Sequence, residues 1–108
     1  DFSSFRSSGC QAKSPIRNII NTSIIKNKNI IIFSITANAF LYHMVRNIVG
    51  TIVDIGSNKI LPSELRNIIN KKDRKFCSKM APSNGLFLWK VSYPSKYKIN
   101  YNSESILL

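Results

Sequence analysis

The sequence predicts an α+β domain, a mainly antiparallel sheet with helices packed on one of its faces. Three features of the 108 residues carry that expectation. Two β-branched runs are separated by a short polar break, two stretches with helical spacing follow them, and a further apolar run closes the pattern.

Taken in order, residues 1–14 are rich in serine and small residues, with Phe2 and Phe5 spaced as neighbours on one turn, which suits a short helix or an ordered loop. Residues 17–25 and 30–36 read as two strands, because isoleucine and threonine fit a pleated surface and Asn27-Lys28-Asn29 fits a turn. Asn38 is expected to cap the next element. From Phe40 the period becomes helical: Leu41, Met44, Val45, Ile48, Ile52 and Ile55 share one face, and Gly56 stands where a left-handed terminator belongs. Pro62-Ser63-Glu64 opens a second helix whose stripe is Leu65, Ile68 and Ile69, fading at Lys71-Lys72. Residues 75–79 can add one more helical turn. Ala81-Pro82-Ser83-Asn84-Gly85 is turn chemistry, and residues 86–93 read as a strand stopped by Pro94. The expected division is one domain over 1–97 and a polar tail over 98–108.

Sixteen lysines and arginines against five acidic residues give a formal net charge of +11. With 44% hydrophobic residues the chain has material for a core, which excludes a disordered basic tail, so the charge points to a folded partner of a polyanion, nucleic acid before membrane. The apolar stretch 40–56 is interrupted by His43, Arg46, Asn47 and Asp54 and falls short of the ~20 residues a membrane span needs. Cys10, Cys77 and His43 do not make a ligand set, so no metal is expected, and two cysteines are too few for a disulfide framework. A reducing cytoplasm fits. The Asp1-Phe2-Ser3-Ser4 start has no signal-peptide pattern and reads as a cut end.

Arg46 is the most informative position. It borders the apolar stripe, and its neighbours at i±4 (Tyr42, Gly50) and i±3 (His43, Val49) include no carboxylate. A half-buried arginine so placed needs a partner from elsewhere in the fold or from a ligand. Gly50 costs the helix ~1 kcal/mol against alanine, which suggests close approach by another backbone or by a nucleotide. On spacing alone, a solvated arginine beside a packing glycine stays open. His43 has the chemistry of a base but more often serves as a structural hydrogen-bonding residue. Lys71, Lys72, Arg74, Lys75 and Lys79 cluster around Asp73, as a solvated face or as a patch for phosphates. Phe2, Phe5, Phe87, Trp89 and Tyr93 are stacking candidates or core.

Several segments together resemble the C-terminal half of the TruA-type tRNA pseudouridine synthases. They are Asp1-Phe2-Ser3-Ser4-Phe5, Ser14-Pro15-Ile16-Arg17, the long block Asn38-Ala39-Phe40-Leu41-Tyr42-His43-Met44-Val45-Arg46-Asn47-Ile48-Val49-Gly50, and Gly85-Leu86-Phe87-Leu88 with Val91 and Tyr93-Pro94. The resemblance implies the pseudouridine synthase catalytic fold and isomerisation of uridine in the anticodon stem and loop of tRNA, with no cofactor or metal. It also implies a homodimer sharing one tRNA. The family's essential aspartate lies in an N-terminal half, in an Arg-Thr-Asp context absent here. Arg46 matches the arginine that pairs with that aspartate, and Leu86 matches a residue lining the uracil pocket, with Tyr42 and His43 beside it as weaker substrate-binding candidates. The expected partners are therefore tRNA and the N-terminal half of the same protein, and the chain alone is expected to be inactive. A basic α+β module that binds RNA without chemistry is the alternative.

Overall fold

A computed structural model describes residues 1–91. Strand β1 (Ile19–Asn27) and strand β2 (Ile30–Ala37) pair antiparallel, with Ile24 opposite Phe33 and Ile25 opposite Ile32. Lys28 makes the tight reversal at φ 55°, a left-handed conformation uncommon for a lysine. The register slips between Ile19 and Asn21, so that Ile19 faces Ala37 and joins Phe33 and Ile35 on the core side while Ile20 turns outward. Without that extra residue the alternation would bury Ile20 and expose Ile19.

Asn38 closes the hairpin rather than capping a helix. Its Oδ1 accepts from the Asn18 amide (2.9 Å) and its own amide donates to the Asn18 carbonyl (3.0 Å). Helix α1 (Met44–Gly56) accordingly starts later than the period from Phe40 suggests. The Tyr42 carbonyl, which a helix would offer to residue 46, accepts instead from the Ser7 amide at 3.2 Å, and His43 adopts φ 60°. Gly56 is the last helical residue, and the left-handed position falls on Asn58 (φ 64°). The Asn58 amide donates to Ile55 and the Lys59 amide to Asp54, the two crossed bonds of a Schellman ending.

Helix α2 (Glu64–Lys71) buries Ile68 with Leu65 and Ile69 beside it, as its stripe requires. The core is Phe5, Leu41, Met44, Ile48 and Ile68, and the sheet adds Ile19, Phe33 and Ile35 to it. A 3-10 turn, Ser3–Phe5, plugs the space between the helices. The fully buried Ser4 hydroxyl donates to the Ile68 carbonyl (2.5 Å) and accepts from the Asp73 amide (3.1 Å), satisfying two backbone groups at the end of α2. The extra turn expected over 75–79 is instead a 3-10 turn over Arg74–Phe76, started by the Asp73 carboxylate accepting from the Lys75 amide, and residues 77–79 are not helical.

The architecture is thus a small α+β unit in which two helices, a 3-10 turn and one side of a two-stranded sheet contribute to a single core. Residues 86–91 of the expected last strand form no ladder; Leu86, Phe87, Leu88, Trp89 and Val91 are exposed, and residues 92 and 93 lie outside the described residues. A strand exists only when a neighbour accepts its hydrogen bonds, and neither β1 nor β2 takes that place here. The boundary expected at 97 and the tail 98–108 also lie outside the described residues. Among the described residues no helix is long and apolar enough to cross a membrane.

Candidate active-site face

Arg46 lies in the first turn of α1, partly buried, and is bound to the segment before the final turn of the described chain. Its Nε donates to the Ala81 carbonyl at 2.8 Å, and the Ala81 amide returns a bond of 3.0 Å to the Arg46 carbonyl. One turn along, Gly50 supplies the room for this crossing. A Cβ there would overlap the Lys79 carbonyl oxygen and stand 3.1 Å from its carbon and 3.2 Å from the Ala81 nitrogen. The close approach suggested by Gly50 is therefore made by backbone, and the partner of Arg46 within the described residues is a carbonyl. No carboxylate ion-pairs with Arg46 among them; the ion pair present is Lys75 with Asp73, 3.7 Å apart and exposed.

Ala81 leads into the turn that presents Leu86. The Leu86 amide donates to the Ser83 carbonyl (3.0 Å), and Gly85 takes φ 82°, where a side chain would be strained. Leu86 itself is half exposed. At the other end of the motif, Tyr42 and His43 sit just ahead of α1 with their rings stacked, centroids 3.7 Å apart. Tyr42 is exposed and His43 partly so. The amides of Tyr42 and then Ala12, with Arg6 adding to them, hold the Cys10 thiol below its ordinary pKa against the opposing effect of burial. Arg6 also ties the loop 6–12 by donating to the carbonyls of Cys10 and Ala12.

Two buried polar residues escaped the periodicity. Asn47 is fully buried, its Nδ2 donating to the Phe5 carbonyl (2.7 Å) and the Ser7 hydroxyl (3.2 Å), while its Oδ1 has no partner among the described residues. Thr51, one turn on, donates to the Asn47 carbonyl and meets the Cys77 sulfur at 3.2 Å. Their only signal was position: they sit at i+3 and i+7 from Met44, on the buried face, where an apolar scale sees a gap.

The basic cluster divides. Lys71 and Lys75 gather on Phe76, Arg74 donates to the Cys77 carbonyl (3.3 Å), Lys72 ends α2 in the left-handed region, and Lys79 contributes its backbone beneath Gly50. Cys10 and Cys77 are free, and no group of ligands able to hold a metal occurs among the described residues.

Comparison with known proteins bears on this face directly. Residues 1–94 match the family model described as tRNA pseudouridine synthase. The chain is 48% identical over 99 residues to tRNA pseudouridine synthase A of Buchnera aphidicola from Schizaphis graminum, covering 92% of this chain and 37% of that protein. It is 43% identical over 103 residues to the enzyme of the same name from Legionella pneumophila strain Corby, covering 95% and 39%. The chain thus spans under two fifths of the length of these relatives. Since the family model matches residues 1–94, a range that includes the α1 motif and the turn at Leu86, the chain belongs to the tRNA pseudouridine synthase family.

Proposed function

We propose that this chain is the C-terminal part of an enzyme that isomerises uridine to pseudouridine in the anticodon stem and loop of tRNA. The C1′–N1 glycosidic bond breaks, C1′ bonds to C5 of the same uracil, and the C5 proton is replaced by one on N1, so nothing enters or leaves overall. The observation carrying this reading is Arg46: a partly buried guanidinium on a conforming family motif, anchored through one N–H to Ala81 and with no carboxylate beside it among the described residues.

An aspartate supplied by polypeptide outside this chain would meet the Nη end of that guanidinium, because Nε is taken. An opposite charge within reach lowers a carboxylate pKa by ~1–3 units, keeping it ionised, and the planar fork fixes its direction as an ammonium would not. The Ala81 tether then serves the same site from the other side, since it sets where the turn carrying Leu86 stands against the base. Tyr42 and His43, at the exposed entrance to α1, are the weaker contributors to the substrate pocket. A homodimeric, cytoplasmic enzyme belongs to the same reading, and the two free thiols suit a reducing compartment.

The test compares the chain alone with the chain fused in frame to the coding sequence that precedes Asp1, each incubated with unmodified tRNA and assayed for pseudouridine. Turnover by the fused form and none by the chain alone is expected. Arg46→Ala in the active form should lower turnover ~10²- to 10³-fold, the scale for losing one charge-positioning group, with tRNA retention nearly unchanged. Robust activity of the chain alone would reject the placement of the aspartate, and tRNA binding without activity in either form would favour the RNA-binding module.

A further inference from the structure

The end of α2 holds an arrangement outside the segments on which the family resemblance was drawn. Lys71 closes the helix, Lys72 reverses the chain at φ 53°, and the Asp73 carboxylate accepts from the Lys75 amide (3.0 Å) to start the next turn. That reversal brings two lysines from different elements to one ring: the Lys71 and Lys75 ammonium groups stand 5.2 and 5.3 Å from the Phe76 centroid. Phe76 is 43% exposed, so the ring is not there to fill the core. Two like charges repel, and the negative face of an aromatic ring attracts each of them. It therefore offsets part of the cost of holding them together and restricts long side chains that otherwise lose rotamer freedom on binding a ligand.

The surroundings favour an extended anion. A groove of about 460 Å³ lined by Phe76, Ile68, Lys71 and Lys59 carries two cations against the one carboxylate of Glu64. The Glu64 carboxylate accepts from the Asn67 side-chain amide (3.3 Å), and Asp73 pairs with Lys75 at 3.7 Å. The Ile68 carbonyl, which would repel an anion at a helix C-terminus, is taken by Ser4.

We propose that Lys71 and Lys75, ordered by Phe76, form a phosphodiester contact for RNA, a second point of attachment beside the active-site face. The inference rests on the tRNA reading above but needs no catalysis. Binding of the full chain to unmodified tRNA is measured by fluorescence anisotropy across a salt series, for the unaltered chain, Lys71→Gln/Lys75→Gln, Phe76→Leu, Phe76→Tyr, and a control pair at the hairpin tip, Lys26→Gln/Lys28→Gln. Removing one lysine that neutralises a phosphate lowers the salt slope by about one. The Lys71/Lys75 pair should reduce it by about two and weaken binding ~10-fold or more at moderate salt, the hairpin pair by much less. Phe76→Leu should weaken binding ~2- to 5-fold and Phe76→Tyr restore it. Equal losses for the two lysine pairs would show generic charge and overturn the site. Unchanged binding in Phe76→Leu would overturn the role of the ring, and equal affinity for anionic phospholipid vesicles would overturn RNA as the ligand. If the complete enzyme proves inactive while these shifts persist, the isomerase reading fails and the contact stands.

Discussion

Replacing Gly50 with alanine sets two physical effects of opposite sign against each other. In an open helix the change stabilises by ~1 kcal/mol, since glycine has the greater backbone freedom to lose. Here the added methyl would occupy the Lys79 carbonyl oxygen, and its other close neighbours, 3.1 and 3.2 Å away, are also backbone. No side chain can swing aside. The segment must retreat, and retreat breaks the 3.0 Å bond from the Ala81 amide and stretches or breaks the 2.8 Å bond from Arg46. A neutral bond is worth ~0.5–1.5 kcal/mol and one to a charged donor ~1.5–3 kcal/mol, so the loss exceeds the helical gain. Gly50→Ala should destabilise the chain by ~1–3 kcal/mol, read by urea or thermal unfolding followed by circular dichroism. A variant as stable as the parent, or more stable, would refute the crossing of residues 79–81 over α1.

Ser4→Ala should cost ~2 kcal/mol in the same assay, because the Ile68 carbonyl and the Asp73 amide both lose a buried partner; a neutral result would mean water reaches both. Asn58→Ala should cost ~1–2 kcal/mol and Asn58→Gly little or nothing, since the left-handed position that ends α1 penalises a Cβ without local hydrogen bonding. The Cys10 thiol, lowered mainly by the Tyr42 and Ala12 amides, should alkylate at lower pH in the folded chain than in urea, with Arg6→Gln moving the profile upward. Because its folded pKa lies below the unfolded one, its contribution to stability is present above the unfolded pKa and fades as pH falls through the folded one. A native profile matching the denatured one would show that the amides do not bond the thiol.

What the sequence revealed follows from which forces are local. The spacing of Met44, Ile48, Ile52 and Ile55 carries α1, and Gly50 inside that pattern announced a close approach before its partner was known. The hairpin was equally legible from its β-branched runs. The start of α1 was not, because it depends on Ser7 reaching the Tyr42 carbonyl and on Asn38 finding Asn18, pairings that local propensity does not contain. Nor was the fate of residues 86–91, whose strand pattern is a demand for a neighbour rather than a structure in itself. Of the candidate site, the residue types at 42, 43, 46 and 86 were readable, while the geometry that links Arg46 to the Leu86 turn passes through Ala81, a residue with no side-chain chemistry to advertise it.

On the proposed reading Arg46 carries two burdens, the Ala81 tether and the carboxylate, and one substitution separates them. Glutamine places its amide nitrogen the same number of bonds from the backbone as the arginine Nε, so Arg46→Gln keeps a donor within reach of the Ala81 carbonyl while removing the charge and the Nη fork. Arg46→Ala removes both. In the isolated chain, Arg46→Ala should therefore lose ~1.5–3 kcal/mol of stability and Arg46→Gln ~1 kcal/mol or less. In the complete enzyme both should lose isomerisation, because glutamine can neither hold a carboxylate ionised nor grip it at two points. If Arg46→Gln turned over at the parent rate while Arg46→Ala did not, the guanidinium would act only as a brace for the Leu86 turn, and the aspartate would need another counterion.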